Sequence, residues 1–303
     1  MRKVAWVVVS VAAVLSLAAV AWPQSGTVSA KPPKAKVVAN VKVAIAEKSY
    51  TFISGGLNRA YEVIAPVTGL PASAPVIVVL SGIGATIAGE VSRDDLVPYV
   101  TSDQAELVYP AGFDESWNAI TCCGAAAARN VNDEAFLEAL VPRIDPGHAR
   151  PVYLVGYSNG GRLAYRMACT VPDLFDAYTI VKAGPPPGCG LRKPVTILQV
   201  ASVNDPEVPY RPGDHGLANE PLPMTTLVSD LQRTQKCPAR GTARQSGQMT
   251  LTSWSGCAGG TRLGFAVWPG GGHAFPGPPA NHPAAAQVIW SFFTRTRFAP
   301  LPK

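Results

Sequence analysis

The chain has 303 residues, 47% of them hydrophobic and 15% charged; it is too apolar for a disordered protein and long enough for a sizeable core. Its formal charge of +6 is modest, with no basic run beyond Lys31, Lys34 and Lys36, which excludes a nucleic-acid binder of the usual basic kind. Pro (29) and Gly (28) are abundant but aperiodic, which excludes a collagen-like repeat and fits a loop-rich globular protein.

In chain order, Arg2 and Lys3 precede an uncharged apolar stretch from Val4 to Ala21. Small-residue cleavage patterns follow at Ala19-Val20-Ala21 and Val28-Ser29-Ala30. Residues 1–30 are therefore expected to be an export signal, with an uncleaved anchor as the alternative, and the protein is expected outside the cell or in its envelope. Residues 31–46 are rich in Pro, Lys, Ala and Val and read as a linker. A single domain is expected over 47–298. No integral membrane domain is expected beyond the N-terminal segment.

Tyr50–Ile53 and Ala60–Ala65 read as opening antiparallel strands around a Gly55-Gly56 turn. Val76–Leu80 is a continuous apolar run, suited to a strand buried on both faces. Glu106–Tyr109 is another short strand, followed by an irregular loop over Asp114–Cys123. Asn132 or Asp133 can cap a helix through Val141, with Phe136, Leu137, Leu140 and Val141 at helical spacing. Val152–Tyr157 is a buried strand and Arg162–Ala168 a helix. Val195–Ala201 and Gly264–Trp268 are further strands. Thr250–Trp254 is a strand near Cys257. Thr225–Gln235 and Ala284–Phe293 read as helices, and 206–223 as a Pro/Gly-rich loop. Strands alternating with helices predict a mostly parallel central sheet with helices on both faces, the α/β class.

The chain is organised around Gly156-Tyr157-Ser158-Asn159-Gly160, set between a strand and a helix. That context makes Gly-x-Ser-x-Gly a nucleophile elbow and the fold an α/β-hydrolase. The turn is so tight that only Gly at 156 and 160 leaves room for the strand and helix to approach. A serine hydroxyl is a weak nucleophile until a positioned base takes its proton, and the base needs an orienting acid. In this fold the order is serine, acid, histidine. His148 precedes Ser158, His215 lies in the Pro/Gly loop, and His282 heads the last helix. His273, after a late strand and three glycines, is the expected base. Asp205, just past a strand end, is the expected acid, with Asp214 as runner-up. Oxyanion donors are expected from the backbone of Asn159 and of Gly82 or Ile83. Trp117, Asn118 and Tyr157 are candidate substrate contacts at the mouth of the pocket.

Six cysteines behind an export signal argue for disulfides. Cys237 and Cys257 flank a hairpin and are the expected pair. Cys122 and Cys123 are adjacent and are not expected to join each other, which leaves two ways of joining them to Cys169 and Cys189. No Cys-x-x-Cys or paired-His spacing suggests a metal, and no cofactor is expected.

These stretches resemble the secreted polyhydroxybutyrate depolymerase-like and feruloyl esterase-like α/β-hydrolases, close to the first carbohydrate esterase family. The resemblance rests on Ser116-Trp117-Asn118 with Cys122-Cys123-Gly124, Asn132–Leu137, Gly156–Arg162, Asn204-Asp205 with Val208-Pro209-Tyr210, and Gly270–Gly277. It implies ester hydrolysis with Ser158, Asp205 and His273 as nucleophile, acid and base. The substrate can be a polyester, a feruloylated sugar or an acetylated sugar. Many relatives carry His-Gly where this chain has Ser81-Gly82, and His-Gly-Thr-x-Asp where it has Ala201–Asp205. Ser81 reaches less far than a His, so the oxyanion loop is expected to be less firmly held. Two other readings compete: a weakly active or inactive hydrolase-fold protein binding an envelope polymer or partner, and a serine peptidase.

Overall fold

The computed structural model describes residues 44–102, 104–218, 222–277 and 283–295. The predicted export signal, nearly all of the linker and His282 lie outside these residues. The first strand starts at Ile45, inside the segment read as linker.

Ten strands form one sheet. The strands are β1 (Ile45–Ser54), β2 (Leu57–Pro66), β3 (Val76–Leu80), β4 (Glu106–Pro110), β5 (Val152–Tyr157), β6 (Ala177–Val181), β7 (Ile197–Ser202), β8 (Thr242–Ser246), β9 (Met249–Ser255) and β10 (Arg262–Trp268). Their order is β1-β2-β4-β3-β5-β6-β7-β10-β9-β8. The six strands from β4 to β10 in that order run parallel, and antiparallel hairpins close both edges. The parallel centre follows from sequence: every residue of β3, β6 and β7 is buried, and such strands must be apolar on both faces.

Alternation sends β3 side chains to two cores. Val76, Val78 and Leu80 pack with Phe136 and Leu140 of α4 (Asp133–Ile144), Leu163 of α5 (Asn159–Thr170) and Leu227 of α6 (Met224–Thr234). Ile77 and Val79 face Val100 of α2 (Val97–Thr101) and Val288, Ile289 and Phe292 of α7 (Ala285–Thr294). Ile87 and Val91 of α1 (Ile87–Asp94) join this second face. The remaining helix, α3 (Gly124–Ala128), is a single turn. The mostly parallel sheet with helices on both faces is thus as the alternation predicts.

Asn132 caps α4, its Oδ1 accepting from the Ala135 N–H at 3.0 Å. Arg59 and Asp133 form a buried ion pair at 2.7 Å, and Asp133 also accepts from the Asn118 N–H at 2.7 Å. Burial raises the Asp133 carboxyl above its ordinary range, opposed by Arg59 and that N–H.

Cys237 pairs with Cys257 around the β8–β9 hairpin, as expected. The other four correct the sequence reading: Cys122 joins Cys123, and Cys169 joins Cys189. Adjacent cysteines are not expected to pair because neighbouring Cα atoms lie closer than the usual disulfide span; here the two Cα atoms are 3.0 Å apart. Each of the two longer bridges spans 20 residues, a loop whose closure is worth about 3 kcal/mol in chain entropy. With every described cysteine paired, thiol titration of the denatured, unreduced protein is expected to find no free thiol; two or more per chain would contradict these pairings.

Candidate active site

Five parallel strands deliver their carboxyl ends to one edge of the sheet. After β3 comes Ser81-Gly82-Ile83, after β5 Ser158, after β6 Lys182, after β7 Asp205 and after β10 His273. This edge is where open α/β sheets gather ligands and reacting groups.

The turn after β5 is as tight as its glycines suggest. Ser158 has φ 52° and ψ −116°, a region that side-chain-bearing residues rarely occupy. A Cβ on Gly156 would lie 2.2 Å from the Gly160 carbonyl oxygen, and one on Gly160 would lie 2.4 Å from that of Ser81. The Ser158 N–H donates to Val181 O at 2.9 Å, and its carbonyl accepts from the Arg162 N–H at 2.9 Å. The turn is thereby pinned at both ends. Helix α5 begins at Asn159, with its positive end at the serine.

Ser158 Oγ lies 2.9 Å from His273 Nε2. His273 Nδ1 lies 3.0 Å from both Asp205 carboxylate oxygens. Asp205 Oδ1 also accepts the N–H groups of Glu207 (2.9 Å) and Val208 (3.1 Å), which fixes the carboxylate without help from His273. The half-exposed Glu207 places Oε2 3.4 Å from His273 Nε2. Of the other candidates, exposed Asp214 accepts from the Arg211 N–H, His148 pairs with Asp176, and His215 is exposed in its loop.

The oxyanion loop is held differently from the sequence expectation. Trp117 Nε1 donates to Ser81 O at 3.0 Å, and the Gly84 N–H donates to Glu115 O at 2.8 Å. Asn159 Oδ1 accepts the Trp117 N–H at 2.7 Å, and Asn159 Nδ2 donates to Trp117 O at 3.0 Å. One tryptophan therefore ties the loop after β3 to the start of α5 through the backbone carbonyl of residue 81. Beside this loop, burial raises the Glu90 carboxyl, opposed by Arg93 and the Gly82 amide.

Two of the three expected substrate contacts, Trp117 and Asn118, are corrected. Trp117 is fully buried and Asn118 nearly so. Asn118 Nδ2 donates to Val131 O at 2.9 Å and Asn130 Oδ1 at 3.2 Å. Both residues brace the site from behind. Tyr157 uses its hydroxyl on the His273 carbonyl at 2.7 Å, under Phe275 and Arg93. Burial pushes this phenol up to about 12, so it stays a donor. A cleft of about 380 Å³ lies beside the loop, lined by Glu62, Ser81, Thr86, Gly112 and Glu115 among others. Neither Ser158 nor His273 lines it, so it adjoins the reacting centre and is no part of it.

Replacing Trp117 by Phe removes one hydrogen bond of ~1 kcal/mol and lets an oxyanion donor drift, where full loss costs roughly 10²–10³ in turnover. The expected result is a fall in kcat of about ten-fold on an aryl ester, with little change in KM. A folded Trp117→Phe with unchanged kcat would show that the loop is held otherwise.

Sequence reading missed Lys182 and Asn204 as parts of this site. Asn204 Oδ1 accepts the Gly272 N–H at 3.0 Å, and Lys182 reaches the same loop from β6. Among the described residues no group of three or more His, Cys, Asp or Glu is arranged to hold a metal, and no helix is long and apolar enough to cross a membrane.

No family model matches the chain. It is 25% identical over 227 residues to a protein named "Probable feruloyl esterase C" from Aspergillus terreus, covering 71% of this chain and 76% of that one. It is 26% identical over 219 residues to feruloyl esterase C of Emericella nidulans, covering 69% and 74%. Among solved structures it superposes on acetyl xylan esterase from Aspergillus awamori with a TM-score of 0.53 at 13% identity, over 81% of this chain and 99% of that one. The superposition shows the shared fold.

Proposed function

We propose that this chain, a feruloyl esterase-like α/β-hydrolase, hydrolyses carboxylic esters through an acyl-enzyme on Ser158. The observation that carries the reading is the unbroken hydrogen-bonded line from Ser158 Oγ through His273 to Asp205. His273 Nε2 takes the Ser158 proton as Oγ attacks the ester carbonyl. Asp205 holds the Nδ1 proton and balances the imidazolium. The backbone N–H groups of Asn159 and Ile83 receive the charge that develops on the carbonyl oxygen. Collapse releases the alcohol, which takes its proton from His273 Nε2. Water, deprotonated by the same nitrogen, then attacks the acyl-enzyme, and collapse returns the acid and free Ser158.

Feruloyl and acetyl esters of sugars are the substrate class that the relatives' names favour; polyesters are the second class. The disulfides and the charged-then-apolar N-terminus support an exported enzyme. The bonding of Trp117 to the oxyanion loop favours an active enzyme over an inert binding protein. A panel of aryl acetate, methyl ferulate, hydroxybutyrate oligomers and a peptide ester tests the reading. Expected is turnover of aryl acetate and methyl ferulate that disappears in Ser158→Ala. No turnover of any ester by the folded protein would favour the binding reading instead.

A further inference from the structure

We propose that Lys182 is a positioning residue for His273: from the end of β6 its ammonium grips the backbone on both sides of the histidine and sets the imidazole between Ser158 and Asp205. The inference rests on the reading of His273 as the base. Lys182 is 1% exposed, and its Nζ donates to Gly272 O and to Ala274 O, both at 2.5 Å. The carbonyl between them, that of His273, accepts from the Tyr157 hydroxyl. Three consecutive carbonyls of a glycine-rich loop are thus held from the floor of the site by side chains of two neighbouring strands' ends.

A buried ammonium is costly, and an apolar side chain would serve the core better at this position. The backbone adds to the cost: Lys182 has φ 52°, where Gly or Asn is the common choice. Its own N–H is anchored on Val200 O at 2.9 Å. The chain therefore keeps a charged residue in an unfavourable conformation at a place from which it reaches the His273 loop. The opposite charge that faces it is Asp205, so the ammonium also supports the carboxylate that orients the histidine. Burial lowers the Lys182 amine to about 8, with Asp205 opposing the shift. Losing the proton removes the charge and one of three N–H donors. Among the described residues, the other ionisable groups around the loop are Asp205, Glu207, His273 and Tyr157, with Arg93 and Glu90 behind Tyr157. None of these is an amine.

The test measures kcat and KM on an aryl acetate from pH 6 to 10 for wild type, Lys182→Met, Lys182→Arg and Ser158→Ala. Expected for Lys182→Met is a fall in kcat of about 10²-fold, the scale of a small misplacement of a reacting group, with KM within about three-fold of wild type. The wild-type kcat is expected to step down as pH rises through about 8. In Lys182→Arg the guanidinium stays charged, so that step should vanish whatever the absolute rate. A folded Lys182→Met with wild-type kcat, or a Lys182→Arg that keeps the step, would overturn the assignment. Should Lys182→Met fail to fold, the Lys182→Arg profile decides alone. Near-normal activity in Ser158→Ala would instead sink the underlying triad reading, whereas a Ser158→Ala lowered by a factor on the order of 10⁶ beside wild-type-like Lys182 variants would sink this inference only.

Discussion

Replacing Ser158 or His273 by Ala is expected to lower kcat by a factor on the order of 10⁶, and replacing Asp205 by Ala by about 10⁴. The first two losses are equal because the pair acts as one unit: a serine without its base is a neutral alcohol, and a base without its serine has nothing to deprotonate. Asp205 costs less because it never touches the substrate. Its loss leaves His273 2.9 Å from Ser158 but free to take the wrong tautomer. The imidazole is also gripped through its backbone by Tyr157 and Lys182, so Asp205→Ala should retain a well-placed ring. Residual turnover of all three variants should exceed the uncatalysed rate, since the backbone donors at Asn159 and Ile83 remain. Steady-state kinetics on an aryl acetate checks this. Near-normal kcat in Ser158→Ala would remove the mechanism.

Gly160→Ala is expected to damage both fold and rate. Its Cβ would meet Ser81 O at 2.4 Å and Leu80 O at 2.6 Å, and both obstacles are backbone of a fully buried strand end. Overpacking a core usually costs ~1–3 kcal/mol because side chains can shift; here they cannot, so the upper end or more is expected. The yielding element would be the loop after β3, which carries the proposed Ile83 donor. Displacing one oxyanion donor costs roughly 10²–10³ in kcat. Denaturant unfolding and kcat together check this. A Gly160→Ala with wild-type stability and rate would mean that helix α5 does not approach β3 as closely as described.

The fold and the reacting groups were legible to the extent that their causes are local. The elbow is written in five residues, because its steric demand falls on Gly156 and Gly160 themselves. Strand ends and chain order point to Asp205 and His273, and the structure sets both within hydrogen-bond distance of their neighbours. The supports were not legible. Lys182 and Gly272 are separated by 90 residues, Tyr157 and His273 by 116, and Trp117 and Ser81 by 36. No spacing in the sequence records such pairs, so a Trp in an irregular loop read as a pocket wall when it is a buried brace. Helix α1 escaped because the buried Glu90 and Asp94 interrupt the apolar stripe that Ile87 and Val91 begin. Burial raises Asp94 to about 7, and it accepts from the Tyr109 hydroxyl at 2.7 Å. Strand β8 escaped because it is a solvent-facing edge, TARQS, without alternation. The Cys122–Cys123 pairing escaped because adjacent cysteines seldom meet the usual disulfide span.

The most direct measurement is the site of covalent capture. The folded protein is treated with a fluorophosphonate, digested, and the adduct located by peptide mass, with His273→Ala treated in parallel. A single adduct on Ser158 that is strongly suppressed in His273→Ala is expected, since only a serine activated by its base attacks phosphorus quickly. An enzyme that turns over esters yet carries no adduct, or carries it on another residue, would contradict a nucleophilic Ser158.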